Sequence, residues 1–197
     1  MMEPTKTLPL TGLVLAGGAS SRMGKDKALL VFEGRPLIER VGERLAVAAS
    51  PVLVAPGRPG RLGSLSFPEV PDWAPGCGPL GGLVAGLQAS PHELTAVVAV
   101  DMPYASSELL AFLASLHQDE DAVAPMGETG VEPLHAVYSR SALPVMREAL
   151  SKRQYGLRRL LSRLRVRQVE GAEWAHLDID PRFAFNINRP EDLGGEV

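Results

Sequence analysis

LVLAGGASSRMGKDKALL, residues 13–30, is the stretch on which the reading of this chain turns. Leu13-Val14-Leu15-Ala16 is a short apolar run closed by glycine, the pattern of a buried strand rather than a helix. It runs into Gly17-Gly18 and then Ser20, Ser21, Arg22, Gly24, Lys25, Asp26 and Lys27. Glycines let the backbone approach a ligand closely and turn several N–H groups toward one anion. Arg22, Lys25 and Lys27 add positive charge, so the strand ends in a loop suited to phosphates. The chain has 16 Arg but only 4 Lys, and two of those lysines flank Asp26. A compact ammonium where arginine is the default suits contact with a single phosphate oxygen.

Two common phosphate motifs do not fit. G-x-G-x-x-G is absent, because Gly17-Gly18 has no spacer and Ser21 and Arg22 stand where later glycines belong. The P-loop pattern comes nearer, as ASSRMGKD from Ala19 to Asp26, but Asp26 takes the position of the hydroxyl that binds magnesium. An acid there would face the nucleotide's own charge, which excludes a P-loop ATPase.

At 197 residues the chain is expected to form one domain with a real core. A net charge of −3 speaks against a phosphate-tracking nucleic-acid binder, since basic residues gather only in the C-terminal third. The single cysteine, Cys77, excludes a disulfide framework and points to a reducing, cytoplasmic setting. MMEPTKTLPLTG has neither the basic start nor the apolar core of a signal peptide, and no apolar run is long enough to cross a bilayer.

Further along, Pro36 begins a helical stretch with Leu37, Val41, Leu45 and Ala48 on one face. Val52-Leu53-Val54 reads as a second strand, and residues 57–76 as a surface loop ending near the site. Pro79 opens a helix through Leu87. Thr95 to Val100 reads as a third strand, halted at Asp101-Met102-Pro103, and Ser106 or Ser107 caps a helix through Leu116. Strands at 122–124, 134–138 and 166–169 alternate with helices near 141–150 and 157–164. This alternation predicts a three-layer α/β/α domain with a mainly parallel sheet, binding ligands at the carboxyl ends of its strands. Asp101 sits at such an end. Two readings stand for it: a magnesium ligand beside phosphate oxygens, or an acid in a strand-to-helix turn.

The pattern L-A-G-G-x-S-S-R-M-G-x-D-K resembles the signature of nucleotidyltransferases, and most of all that of the molybdenum cofactor guanylyltransferases. Ordered segments at 13–30, 72–87, 97–103, 132–138 and 185–193 match that family. The resemblance implies a Rossmann-like fold of the nucleotide-diphospho-sugar transferase type. The part up to about residue 105 would bind the nucleotide and residues 106–197 the acceptor. It also implies transfer of GMP from GTP to Mo-molybdopterin, with Mg²⁺ as cofactor. It gives no role to nucleic acid or membrane and leaves room for transient contact with molybdoenzyme-assembly proteins.

By the same resemblance, GTP would be held by Leu15, Ala16, Gly17, Gly18, Ser20, Lys27, Asp72, Gly78 and Asp101. Arg22, Lys27 and Asp101 would be catalytic and Asp101 would carry the metal. Asp72 ahead of Gly78-Pro79-Leu80 matches a segment lying by the nucleoside. FNINRPEDL, residues 185–193, matches the closing N-x-N-x-P-E-D-L, which puts Asn186 and Asn188 on the acceptor. A charge-free amide can touch a phosphate without repulsion, and Asn188 equally suits a helix cap ahead of Pro190. Glu132-Pro133-Leu134-His135 matches an acceptor-side segment, with His135 read either as an acceptor contact or as a packed residue. Of Arg153, Arg158, Arg159, Arg163, Arg165 and Arg167, most are expected on solvated faces, with Arg158 or Arg159 the candidates for an acceptor phosphate.

One departure stands out. The family often carries Asn at the end of the second strand, where this chain has Ala55-Pro56. Guanine recognition then falls to backbone groups and Asp72. The L-A-G-G strand end, against L-A-A-G in cytosine users, favours GTP, because the glycine that stands in place of the alanine removes a Cβ from the path of a purine. The alternatives are a CTP-using sibling, a sugar- or polyol-phosphate nucleotidyltransferase, and a nucleotide-binding regulator without turnover.

Overall fold

The computed structural model describes residues 9–17, 26–73 and 76–193. In chain order the elements are β1 (Leu10–Leu15), β2 (Val31–Phe32), β3 (Arg35–Pro36), α1 (Leu37–Ala46), β4 (Val52–Ala55), α2 (Gly78–Ala89), β5 (Leu94–Ala99), α3 (Ser107–Ser115), β6 (Ala122–Gly127), β7 (Gly130–Val131), β8 (His135–Ser139), α4 (Leu143–Ser151), α5 (Leu157–Leu161) and β9 (Val166–Val169).

β1 is buried along its whole length, and its side chains divide by parity. Leu10 and Val14 join the core under α1 and α3, whereas Leu13 and Leu15 join the core under α2, α4 and α5. A strand covered on both faces has no solvent side to show, hence its apolar character; its one hydroxyl, Thr11, is buried and accepts from the Ser90 hydroxyl. The principal sheet runs β4-β1-β5-β8-β6, with β9 beside β6 and β7 closing a hairpin on its end. β4, β1 and β5 are mutually parallel, as are β6 and β9. The three-layer, mainly parallel architecture read from the sequence is the one found. Among the described residues no helix is long and apolar enough to cross a membrane.

Two details differ from the sequence reading. β8 runs antiparallel to both β5 and β6. The segment from Glu128 to Leu134 is too short for the crossover that a parallel neighbour requires, so the chain turns back through β7. The stretch 57–76 is also more than a surface loop. Leu62 and Val70 are buried, and along the β4 edge the Val54 N–H donates to Pro68 O while Val54 O accepts the Val70 N–H. That contact covers an edge strand that would otherwise expose its peptide groups.

The helices follow simple local rules. α1 is amphipathic, with Leu37, Ile38, Val41 and Leu45 buried. α3 starts where the Ser106 side chain accepts the Leu109 N–H. α2 is apolar all round because strands lie beneath it and α4 lies beside it. Its glycines set that approach: a Cβ on Gly86 would come within 2.2 Å of the Leu13 side chain.

Candidate active site

The carboxyl ends of β1 and β5 meet in a cleft. Ala16 N–H donates to Ala55 O, and Val100 N–H donates to Leu15 O at 3.0 Å. The sheet therefore extends one residue past β1, and Gly17 lies at its lip. Gly17 packs main chain on main chain against Gly57, where an added Cβ would stand 3.2 Å from the Gly57 Cα. No larger residue fits without moving backbone. Asp72 closes the same corner. Its Oδ1 accepts the Gly57 N–H at 3.2 Å, and burial raises its pKa against the opposing pull of that N–H and of Arg61. The cleft holds a cavity of about 190 Å³ whose walls include Leu15, Ala16, Gly17, Lys27 and Asp101.

Lys27 begins a short 3₁₀ turn, Lys27–Leu29, capped by the Asp26 carboxylate on the Ala28 N–H. From there its ammonium reaches Asp101 Oδ2 at 2.8 Å and Asn188 Oδ1 at 3.3 Å. Three distant segments thus meet at one charge. The Asp101 backbone is pinned from the same side, its carbonyl accepting the Ile187 N–H at 2.9 Å. Asn188 does not serve as the cap that one sequence reading assigned it. Asp192 performs that task, accepting the Asn188 and Arg189 N–H groups at 2.7 and 2.8 Å, which leaves the Asn188 amide facing Lys27.

A second, wider cavity of about 610 Å³ opens beside the first, and Asn186 lines both. Its walls come from the β6–β7 hairpin and from the segment Pro181–Asn186, with Glu132 and Arg158 among them. Arg158 donates to the Thr129 carbonyl and hydroxyl at 2.9 and 3.1 Å. Of the six C-terminal arginines, Arg158 alone among the described residues lines this cavity. Arg163, Arg165 and Arg167 pair with Glu148, Asp119 and Asp121, and Glu173 on the surface.

His135 is the residue whose acceptor role the structure corrects. It is fully buried, its Nε2 accepts the Ser106 N–H at 3.0 Å, and its ring packs edge-on against Phe183. Burial pushes the imidazole down to about 4, so the ring is neutral. A side chain without exposed surface touches no acceptor; His135 instead ties β8 to the start of α3, beneath the wider cavity. Gly78 opens α2 with φ +59. Gly18, Ser20 and Arg22 lie outside the described residues.

Two features escaped the sequence reading. Arg61 pairs with Asp26 and donates to Ala16 O and Pro56 O at 2.6 and 2.9 Å, stitching β1, β4 and the lysine turn together. Nothing local marks a partner so far along the chain. Glu132 opens the segment EPLH, and a carboxylate just ahead of a proline and a buried strand is the signal the sequence offers for it.

Residues 12–169 match a known family model, described as the MobA-like NTP transferase domain. The chain belongs to that family. A probable molybdenum cofactor guanylyltransferase of Deinococcus radiodurans is 36% identical over 188 residues, covering 94% of this chain and 93% of the relative. Molybdopterin-guanine dinucleotide biosynthesis protein A from Archaeoglobus fulgidus has the same architecture, with TM-score 0.81 and 26% identity over 93% of this chain and 94% of that one. A Thermus thermophilus 2-C-methyl-D-erythritol 4-phosphate cytidylyltransferase shares the fold alone, with TM-score 0.66 and 20% identity over 92% and 94% of the two chains. This MobA-like transferase thus keeps a lysine and an aspartate in the wall of its narrower cavity, with Asn188 bonded to that lysine and Asn186 shared with the wider cavity.

Proposed function

We propose that this MobA-like protein is a molybdenum cofactor guanylyltransferase, passing GMP from GTP to Mo-molybdopterin and releasing pyrophosphate. The observation that carries the reading is Lys27, held by Asp101 and Asn188 in the cleft whose cavity shares Asn186 with the wider one. The curated relatives' names supply the nucleotide and the acceptor. We place GTP on the part of the chain up to about residue 105 and the acceptor on residues 106–197, in a cytoplasmic protein.

In the transfer, an oxygen of the acceptor's terminal phosphate forms a bond to the α-phosphorus of GTP. The bond from that phosphorus to the bridging oxygen breaks, and pyrophosphate leaves with the electron pair. Anion attacks anion, so catalysis is positioning and charge neutralisation, with no side-chain nucleophile needed. Lys27 exchanges its carboxylate partner for a phosphate oxygen, and Gly18, Ser20 and Arg22, outside the described residues, are assigned to the same triphosphate. Leu15, Ala16 and Gly17 offer backbone, and Asp72 a carboxylate, to the guanine N–H groups, while Gly78 sets the α2 terminus near them.

The Asp101 and Asn188 oxygens converge on one cationic point, presently the ammonium, and such hard oxygen donors suit magnesium. Among the described residues no group of three or more His, Cys, Asp or Glu could cage a metal, so phosphate oxygens and water would complete the shell. Asp101 and Asn188 would hold Mg²⁺, which supplies further charge neutralisation to the phosphates. The test is transfer of α-labelled GMP to Mo-molybdopterin, with GTP, CTP, ATP and UTP compared for binding. GTP should exceed CTP by at least about tenfold, or ~1.4 kcal/mol. Equal binding of the two would overturn the guanine reading, and absence of a labelled dinucleotide would overturn the acceptor.

A further inference from the structure

Glu132 is a carboxylate without an evident task in the chemistry above, yet it stands half-buried in the wall of the wider cavity. Its Oε1 is fixed by the Leu134 N–H at 3.2 Å, and among the described residues no protein donor reaches Oε2. Arg158 lines the same cavity but gives donors to Thr129 rather than to Glu132. The other acid in the wall, Glu128, is exposed. The exposed Phe185 ring lies in the wall as well and leans on Tyr104, offering an aromatic face inside the cavity. A fixed carboxylate beside an aromatic face, with its neighbouring cation engaged elsewhere, suits a neutral planar ring that presents paired N–H donors.

We propose that Glu132 reads the ring of the acceptor, its carboxylate accepting two parallel N–H groups from a ring nitrogen and the adjacent exocyclic amine of a 2-amino-4-oxopyrimidine edge. The inference rests on the acceptor reading above and names the side chain that selects the acceptor's heterocycle. Burial raises the Glu132 pKa, more than the nearby Arg158 lowers it, as expected for a carboxylate withdrawn from water. The Leu134 N–H holds the side chain by one oxygen, so both acceptors keep a fixed direction. A pterin satisfies them with two donors. A lumazine, which carries a carbonyl in place of the amine, sets oxygen against oxygen. In Glu132→Gln the Leu134 N–H would hold the amide oxygen, turning the NH₂ toward that carbonyl and inverting the preference.

The test uses no turnover. 6-Hydroxymethylpterin and 6-hydroxymethyllumazine are titrated by fluorescence into the wild-type chain and Glu132→Gln, with the GTP affinity of each protein as the folding control. The wild type should favour the pterin by about tenfold or more, because a buried acceptor left facing a carbonyl loses its partner. Glu132→Gln should bring the ratio to one or below. Equal binding of the two rings by the wild type overturns the proposal, as does a variant that weakens both rings alike or a wild type that binds neither. If GMP transfer to Mo-molybdopterin holds while the ring ratio ignores residue 132, only the ring assignment fails. If the ring ratio switches but no transfer occurs, the guanylyltransferase reading fails instead.

Discussion

The two cavities that share Asn186 are built by different means. The narrower one is made of main chain and short side chains at the ends of parallel strands, with Gly17 packed against Gly57 and a lysine held by an acid. The wider one is made of longer side chains on a hairpin and a 3₁₀ segment, Pro181–Ala184, supported by a buried imidazole. Strand ends fixed by a sheet ladder cannot shift independently, so the first cavity suits an invariant group such as the triphosphate we propose for it. A wall of side chains is easier to reshape, which suits the partner that differs between related transferases.

If that contrast is sound, substitutions should split cleanly between nucleotide and acceptor. The largest effect belongs to Lys27→Ala. Losing one preorganised charge contact should lower turnover by about 10²-fold, while affinity for a pterin ring stays near wild type. Wild-type turnover at saturating GTP would remove Lys27 from the phosphate site.

Acid should act through His135, beneath the acceptor wall. Its folded pKa of about 4 lies below the ~6.5 of an unfolded histidine. The neutral ring's contribution is therefore complete above about pH 6.5 and is lost as pH falls toward 4, up to about 3 kcal/mol. Glutamine can still accept the Ser106 N–H but does not titrate. Urea denaturation at stepped pH should show Glu-type acid loss alone in His135→Gln; an unchanged slope between pH 6.5 and 4 would remove the imidazole from this role.

Arg158→Ala should raise the KM for Mo-molybdopterin by about tenfold, the cost of one charge-assisted contact, and leave GTP affinity alone. Equal effects on both substrates would show the two cavities to be coupled rather than separate. The smallest effect is expected from Gly17→Ala. Its methyl would press on the Gly57 main chain at 3.2 Å, and relief by a slight shift should cost about 1 kcal/mol, seen as a severalfold loss of GTP affinity with ring binding unchanged.

Much of the nucleotide side was legible along the chain because its parts are contiguous or strand-bound. An apolar run, a glycine pair and a lysine within 15 residues of Leu13 can be read by eye, and Asp101 announces itself after an apolar strand. The antiparallel course of β8 was not legible, since an apolar run carries no direction; only the shortness of the Glu128–Leu134 connection, set against the sheet order, decides it. The acceptor side was legible only as residue names. Periodicity cannot tell which of six arginines faces a cavity, nor that Glu132 rather than His135 does.

The sequence by itself determined a three-layer, mainly parallel α/β domain, a basic glycine-rich strand end and membership in a nucleotidyltransferase family. Tertiary structure alone decided that Lys27, Asp101 and Asn188 share one charge, that Arg61 ties β1 to β4, and that His135 is core. The division has one physical cause. Backbone conformation and the apolar pattern of a strand or helix follow from near neighbours in the chain. Electrostatic and hydrogen-bonding partners are set by which strand ends the sheet brings together, and that depends on the strand order of the whole sheet.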